Sequence, residues 1–164
     1  MKKLLCVCLF IFLFLLSGCS GSEDPVQEEL LSYVNEILPE VTEKETAAIS
    51  AYDSVSGENY TNDEVMYSVM VDEVSPTYNS FIADLEEVQV ESEKLKALHE
   101  NYIEAVNIQH SAFILIISGL EEQDRGKIIE ANEKLATARK MIREFSDELE
   151  TLAEEHDVTL EKEY

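Results

Sequence analysis

Tryptophan is absent from this chain, and glycine occurs only five times, proline and cysteine three times each, in 164 residues. A β-sandwich or barrel draws on glycine and proline at its many tight turns, so their scarcity excludes such a fold. Positive charge is scarce as well: 12 Lys and Arg stand against 35 Asp and Glu, a net charge of −23. That field repels phosphate backbones, and no basic cluster counters it, which excludes direct binding of nucleic acid. Apolar residues still make up 45% of the chain, enough to bury a core, so it is not disordered throughout. The length suits one domain.

Patterns that carry chemistry are missing too. A di-iron bundle needs Glu-x-x-His pairs, but the residues three before His99, His110 and His156 are Lys96, Asn107 and Ala153. His99 is followed by Glu100 without the second histidine of a zinc peptidase. No calcium loop, no Gly-x-Ser-x-Gly turn and no glycine-rich phosphate loop occurs. Neither catalysis nor a cofactor nor a specific metal is therefore expected, and each histidine reads as a surface or boundary residue.

What is present begins at the amino terminus. Lys2 and Lys3 precede an unbroken apolar run over residues 4–16. Thirteen residues span about 20 Å as a helix, short of the roughly 30 Å hydrocarbon core, so the run suits a secretory signal better than a membrane span. Leu16, Ser17, Gly18 and Cys19 then follow in an order that resembles the bacterial lipobox. The small residues give a peptidase access, and the thiol is the group that carries a thioether-linked diacylglycerol. The resemblance covers these first nineteen residues alone. It implies cleavage before Cys19, removal of residues 1–18, and attachment to the membrane through lipid on Cys19.

A chain of residues 19–164 keeps ten basic residues against 35 acidic ones, a balance of −25, and no free thiol once Cys19 is lipidated. Disulfides and cysteine metal sites are then excluded. Residues 19–24 form a short linker, so the folded part is expected close to the bilayer, its charge keeping it from lying flat on anionic lipid.

From Pro25 onward the apolar spacing predicts four helices and no strand. Asp24 is a candidate cap, followed by Val26, Leu30, Val34, Ile37 and Val41, with Ala48, Tyr52 and Val55 extending the stripe and Pro39 expected to kink or divide it. Thr61 and Glu64 have capping-box spacing before Tyr67, Met70, Val74, Tyr78, Phe81, Leu85 and Val88, with a second kink expected at Pro76. Ser92 can cap a third helix through Leu95, Leu98, Tyr102, Ala105, Ala112, Ile116 and Leu120, and a turn is expected within residues 119–126. Ile128, Ala131, Leu135, Ala138, Ile142, Phe145, Leu149 and Leu152 then alternate at +3 and +4, a coiled-coil-like seam. Short connections favour an all-α, antiparallel up-down four-helix bundle over residues 25–156, followed by an acidic tail at 157–164. A three-helix body with the first segment loosely attached is the alternative. No second copy recurs at the 34-residue offset of a tetratricopeptide array.

Residues 113–117 are five consecutive apolar residues in the third helix. Phe113, Ile116 and Ile117 fall on the core stripe, whereas Leu115 lies roughly opposite and shares its side with Ile108, seven residues earlier, and Ile103 and Ile114 likewise share a flank. The pair Ile108 and Leu115 is either further enclosure of a central helix or a contact patch for a partner or a second copy. The expected function is accordingly that of a lipid-anchored, non-enzymatic envelope protein working through protein contacts. The alternative is capture of a small ligand or divalent cation, with Asn107, Gln109, His110 and Asn132 as candidate polar groups within the bundle.

Crowding 35 acidic side chains on a small helical body destabilises it by self-repulsion that salt screens. The protein is expected to melt at higher temperature as sodium chloride is raised, measured by the loss of helical circular dichroism. Melting indifferent to salt would remove the repulsion argument.

Overall fold

The computed structural model describes residues 24–160; the lipobox-like segment, with Leu16, Ser17, Gly18 and Cys19, lies outside the described residues. Those described form helices and no strand. The first rod comprises α1 (Pro25–Ser32), a π-helical turn (Tyr33–Ile37) and α2 (Leu38–Asp53). After residues 54–62, which hold the 3₁₀ turn Gly57–Asn59, the second rod repeats that plan: α3 (Asp63–Val69), a π-helical turn (Met70–Val74) and α4 (Ser75–Glu87). Then come α5 (Glu93–Glu122) and α6 (Arg125–Glu155). Tyr33, His99 and the Leu85 carbonyl meet at one end of the molecule, Gln123 and Asp63 at the other, so the rods run up, down, up and down. The four-helix bundle is the architecture.

The two prolines do not break their rods. Proline lacks an N–H and its ring crowds the carbonyl four residues back, so a regular α-helix must bend or open there. Here one extra residue widens the turn just before each: Leu38 N–H bonds to Tyr33 O before Pro39, and Ser75 N–H to Met70 O before Pro76. The sequence around both is similar, Val34-Asn35-Glu36-Ile37-Leu38-Pro39 against Val71-Asp72-Glu73-Val74-Ser75-Pro76. A serine braces each wide turn, Ser32 donating to Glu36 at 3.1 Å and Ser68 to Asp72 at 2.9 Å.

The helix starts differ from expectation in two places. Asp24 caps α1 as expected, accepting from Val26 N at 3.0 Å. At α3, however, Asn62 rather than Thr61 is the cap, accepting from Val65 N at 3.0 Å. Ser92 stands at the cap of α5, but its hydroxyl makes no cap bond. The Glu29 carboxylate of α1 takes that role from across the bundle, accepting from Glu91 N at 2.5 Å and Ser92 N at 3.0 Å. Desolvation works to raise the Glu29 carboxyl, and the donors at Glu91 and Ser92 together outweigh it, holding it below its ordinary value.

The turn expected within 119–126 is shorter: α5 runs through Gly119 to Glu122. Gln123 adopts the left-handed conformation, with φ of 57°, and Asp124 N–H reaches back to Gly119 O at 2.9 Å. Asp124 then caps α6 through Gly126 N at 2.7 Å. Gly119 serves packing instead of turning: a Cβ there would lie 2.7 Å from Ile128 Cδ1 and 3.2 Å from Asp124 O. Ala112 and Ala105 continue its line at heptad intervals, and Ala131 and Ala138 are buried on α6, so the two longest helices pack together along most of their length. Ion pairs close both ends of this hairpin, Lys127 to Glu122 at 2.5 Å and Lys94 to Glu155 at 2.6 Å.

The expected tail begins as a folded cap. Asp157, with φ of 56°, ends α6 and lets Val158 N–H bond to Ala153 O at 2.8 Å, burying Val158. The His156 ring bonds to Asp24 at 2.5 Å, and Gln27 donates to the His156 carbonyl at 2.9 Å. Both ends of the bundle's chain are thus clasped together. By length and composition α5 could cross a membrane, but one face of it, with Leu95, Tyr102, Phe113 and Ile116, is buried in the core of the bundle.

The close α5–α6 approach yields a test. Ala112→Leu forces a large side chain into the fully buried seam and is expected to destabilise the protein by about 1–3 kcal/mol. Ala136→Leu, on the exposed face of α6, is expected to stay within about 0.5 kcal/mol of the parent. Urea denaturation measures both, and equal effects would contradict the packing described.

Candidate functional site

At the end of the bundle away from the Asp24–His156 clasp, residues 54–62 fold over the tips of α2, α3, α5 and α6. Val55 is buried and tucks this connection down, while Asn59 bonds to the Asp53 carbonyl at 2.9 Å. Gly57 takes φ of 55°, a conformation that suits glycine. The chain then presents Tyr60 outward, 46% exposed, with its hydroxyl donating to Asp63 Oδ1 at 2.7 Å. Gln123 donates to Asp63 Oδ2 at 3.1 Å and to Leu120 O at 2.8 Å, tying this loop to the α5–α6 turn. The Tyr60 hydroxyl, followed by the Gln123 amide, holds the Asp63 carboxyl below its ordinary value, so it is ionised at neutral pH.

These elements enclose an open cleft of about 410 Å³. Met66, Ile116, Leu120 and Ile128 form an apolar floor, and Tyr52 forms one wall. Ser56, Tyr60, Asp63 and Asn132 bring polar groups to the rim. Burial pushes the Tyr52 phenol up, with the Ser56 hydroxyl and the charge of Arg139 acting against that. An apolar floor under a few converging polar groups can orient a small ligand.

A second groove of about 530 Å³ lies beside the first π turn, between the first rod and α6. Val34, Leu38, Pro39, Leu149 and Leu160 give it apolar walls, with Asn35 and Thr42 as polar members.

Several polar groups inside the bundle serve one another. His99, expected at the surface or a boundary, is instead buried, because both ring nitrogens find partners there: its Nε2 lies 3.1 Å from Leu85 O, which fixes the proton on that nitrogen and leaves Nδ1 to accept from Tyr33 OH at 3.0 Å. Tyr102 OH donates to Glu45 at 2.5 Å, and Phe145 stacks on the Tyr102 ring at 4.6 Å. Tyr78, wholly buried, packs edge-on to Phe113 at 5.1 Å and lies against His110. Its hydroxyl and His110 Nε2 are buried without a hydrogen-bond partner among the described residues. Burial raises the Glu45 carboxyl and lowers His99 and His110.

The candidate residues do not come together. Ile108 and Leu115 are both half-buried, Leu115 packing at the edge of the core; among neighbouring positions the well-exposed apolar residue is Ile114, at 46%. Of the candidate ligand groups, Gln109 is buried, His110 is half-buried and Asn107 is exposed, its amide donating to the Ile103 carbonyl of its own helix. Asn132 lines the distal cleft. Tyr52, Tyr60 and Asp63 were not singled out as site residues by the sequence. The local signal was the turn-rich segment ending in an exposed aromatic three residues before an aspartate, which reads equally as an ordinary connection. No group of three or more His, Cys, Asp or Glu side chains is placed to hold a metal among the described residues. No family, curated protein or solved structure matches the chain.

The buried seam makes stability depend on pH with opposing signs. His99 and His110 have folded pKa values below the unfolded 6.5, so their stabilising neutral forms are fully present above pH 6.5 and stability is lost as pH falls below it. Glu45, raised above its unfolded 4.5, acts oppositely: lowering the pH toward 4.5 protonates it first in the folded state and favours folding. Between pH 7 and 5 the urea midpoint is expected to fall, and Glu45→Gln is expected to steepen that fall. An unchanged slope in the variant would contradict the assignment of Glu45.

Proposed function

We propose that this chain is a lipid-anchored, non-enzymatic helical module at the outer face of a bacterial membrane, acting through protein contacts. The observation that carries the anchoring is the lipobox-like order Leu16, Ser17, Gly18, Cys19 at the end of the apolar run, with only residues 20–24 before α1. The clasp between Asp24 and His156 supports it, because a load on the linker meets a helix start already bonded to the end of α6. Contacts are favoured over catalysis by the core: Tyr33, His99, Tyr102 and Glu45 brace neighbouring rods through hydrogen bonds to one another and to the Leu85 carbonyl. The half-exposed flank carrying Ile108 and Leu115 is the surface proposed for a partner or a second copy. Capture of a small ligand is the second reading, favoured by the distal cleft.

Labelling cells with a fatty-acid analogue tests the anchor. The parent chain is expected to carry the label in the membrane fraction, and Cys19→Ser is expected to lose it, leaving uncut precursor or releasing soluble protein. Label retained by the variant would overturn the assignment.

A further inference from the structure

We infer that the distal cleft binds an organic cation, a compact apolar body carrying an ammonium group, seated on Tyr52 and Tyr60 with its charge toward Asp63. This deepens the ligand-binding reading and is independent of the lipid anchor. Three observations carry it. The floor of Met66, Ile116, Leu120 and Ile128 matches an apolar body, and about 410 Å³ accommodates one aromatic ring with a short chain. Two tyrosines line the cleft, and the exposed ring of Tyr60 leaves a negative π face open beside a carboxylate. Asp63 is the one charged group in the lining, and it is fixed in place by Tyr60 OH and Gln123 while each of its oxygens keeps a free lone pair.

The wider charge distribution agrees. A chain of net charge −23 draws cations toward its surface and repels carboxylates and phosphates. Two cations oppose this locally: Arg139 acts on Tyr52, and Arg125 lines the recess that adjoins the cleft at Asp63, Leu120 and Ile128. Neither is within ion-pair distance of Asp63, and neither lines the cleft itself. Removing Arg139 should therefore strengthen binding of a cation, whereas it should weaken binding of an anion.

The test uses the full chain in a non-ionic detergent, with methyl NMR reporting on Met66, Ile116 and Ile128. Three probes share one body and differ in charge: phenethylammonium, phenethyl alcohol and 3-phenylpropionate. Saturable shifts are expected with the ammonium, weaker ones with the alcohol and none with the carboxylate. Asp63→Asn is expected to weaken ammonium binding about fivefold and Arg139→Ala to tighten it about twofold, both in the range of a partly exposed charge pair. A capped Leu-Lys-Leu peptide separates the two sources of such a cation: tighter binding than phenethylammonium assigns a lysine side chain, weaker binding a free amine. Carboxylate binding as tight as ammonium binding, or Asp63→Asn binding the ammonium unchanged, would overturn the proposal. If Asp63→Asn fails to fold, the charge series on the unaltered chain decides the matter alone.

Discussion

The α5–α6 hairpin depends on small side chains. With glycine or alanine at 105, 112 and 119 facing a helix whose own buried line includes Ala131 and Ala138, the two helices can approach closely along most of their length. Everything else is arranged on that hairpin. The first two rods, each interrupted by a widened turn, pack against it and against each other, and the connections between rods end in caps that satisfy exposed amides. Where α6 turns from α5 toward the first rod, contact is looser, and the proximal groove and the distal cleft both lie along that seam.

The polar seam explains why the looser rods still have one position. Tyr33 to His99 to the Leu85 carbonyl links the first rod, the third and the end of the second, and Glu45 to Tyr102 links the first and third again one level away. Each bond has one acceptable geometry, and a rod shifted by a turn would leave a buried phenol or imidazole unsatisfied. Apolar packing supplies the drive to assemble; these bonds select the register. The cost is visible at Tyr78 and His110, where a hydroxyl and a ring nitrogen are enclosed without partners among the described residues.

Much of this was legible in the amino-acid sequence because it is local. The +3/+4 spacing of Ile128, Ala131, Leu135 and Ala138 and the capping by Asp24 depend on neighbours in the chain, and both appear in the structure. The prolines misled because a kink and a π turn begin from the same missing N–H; the recurring Val-x-Glu-x-x-Pro spacing at 34–39 and 71–76 was the available sign that both are handled alike. Glu29 capping α5 could not be read, since 62 residues separate carboxylate from amide. The cleft was hidden for the same reason: Tyr52, Asp63, Ile116 and Asn132 come from four different rods, and each alone looks like ordinary helix or loop.

The clasp of Asp24 on His156 places both ends of the bundle's chain at one pole. A lipid on Cys19 would tether that pole alone, leaving the rest as a stiff post. With rods of about 45 Å, the opposite pole can stand several Debye lengths above the headgroups at physiological salt. At that height the bilayer's own charge would be screened out, and any cation drawn to Tyr60 and Asp63 would answer to the protein's surface and not to the membrane beneath it. Anchored as proposed, the bundle would act as a spacer, and the lengths of α5 and α6 would set the distance from the lipid at which its outer pole meets other molecules.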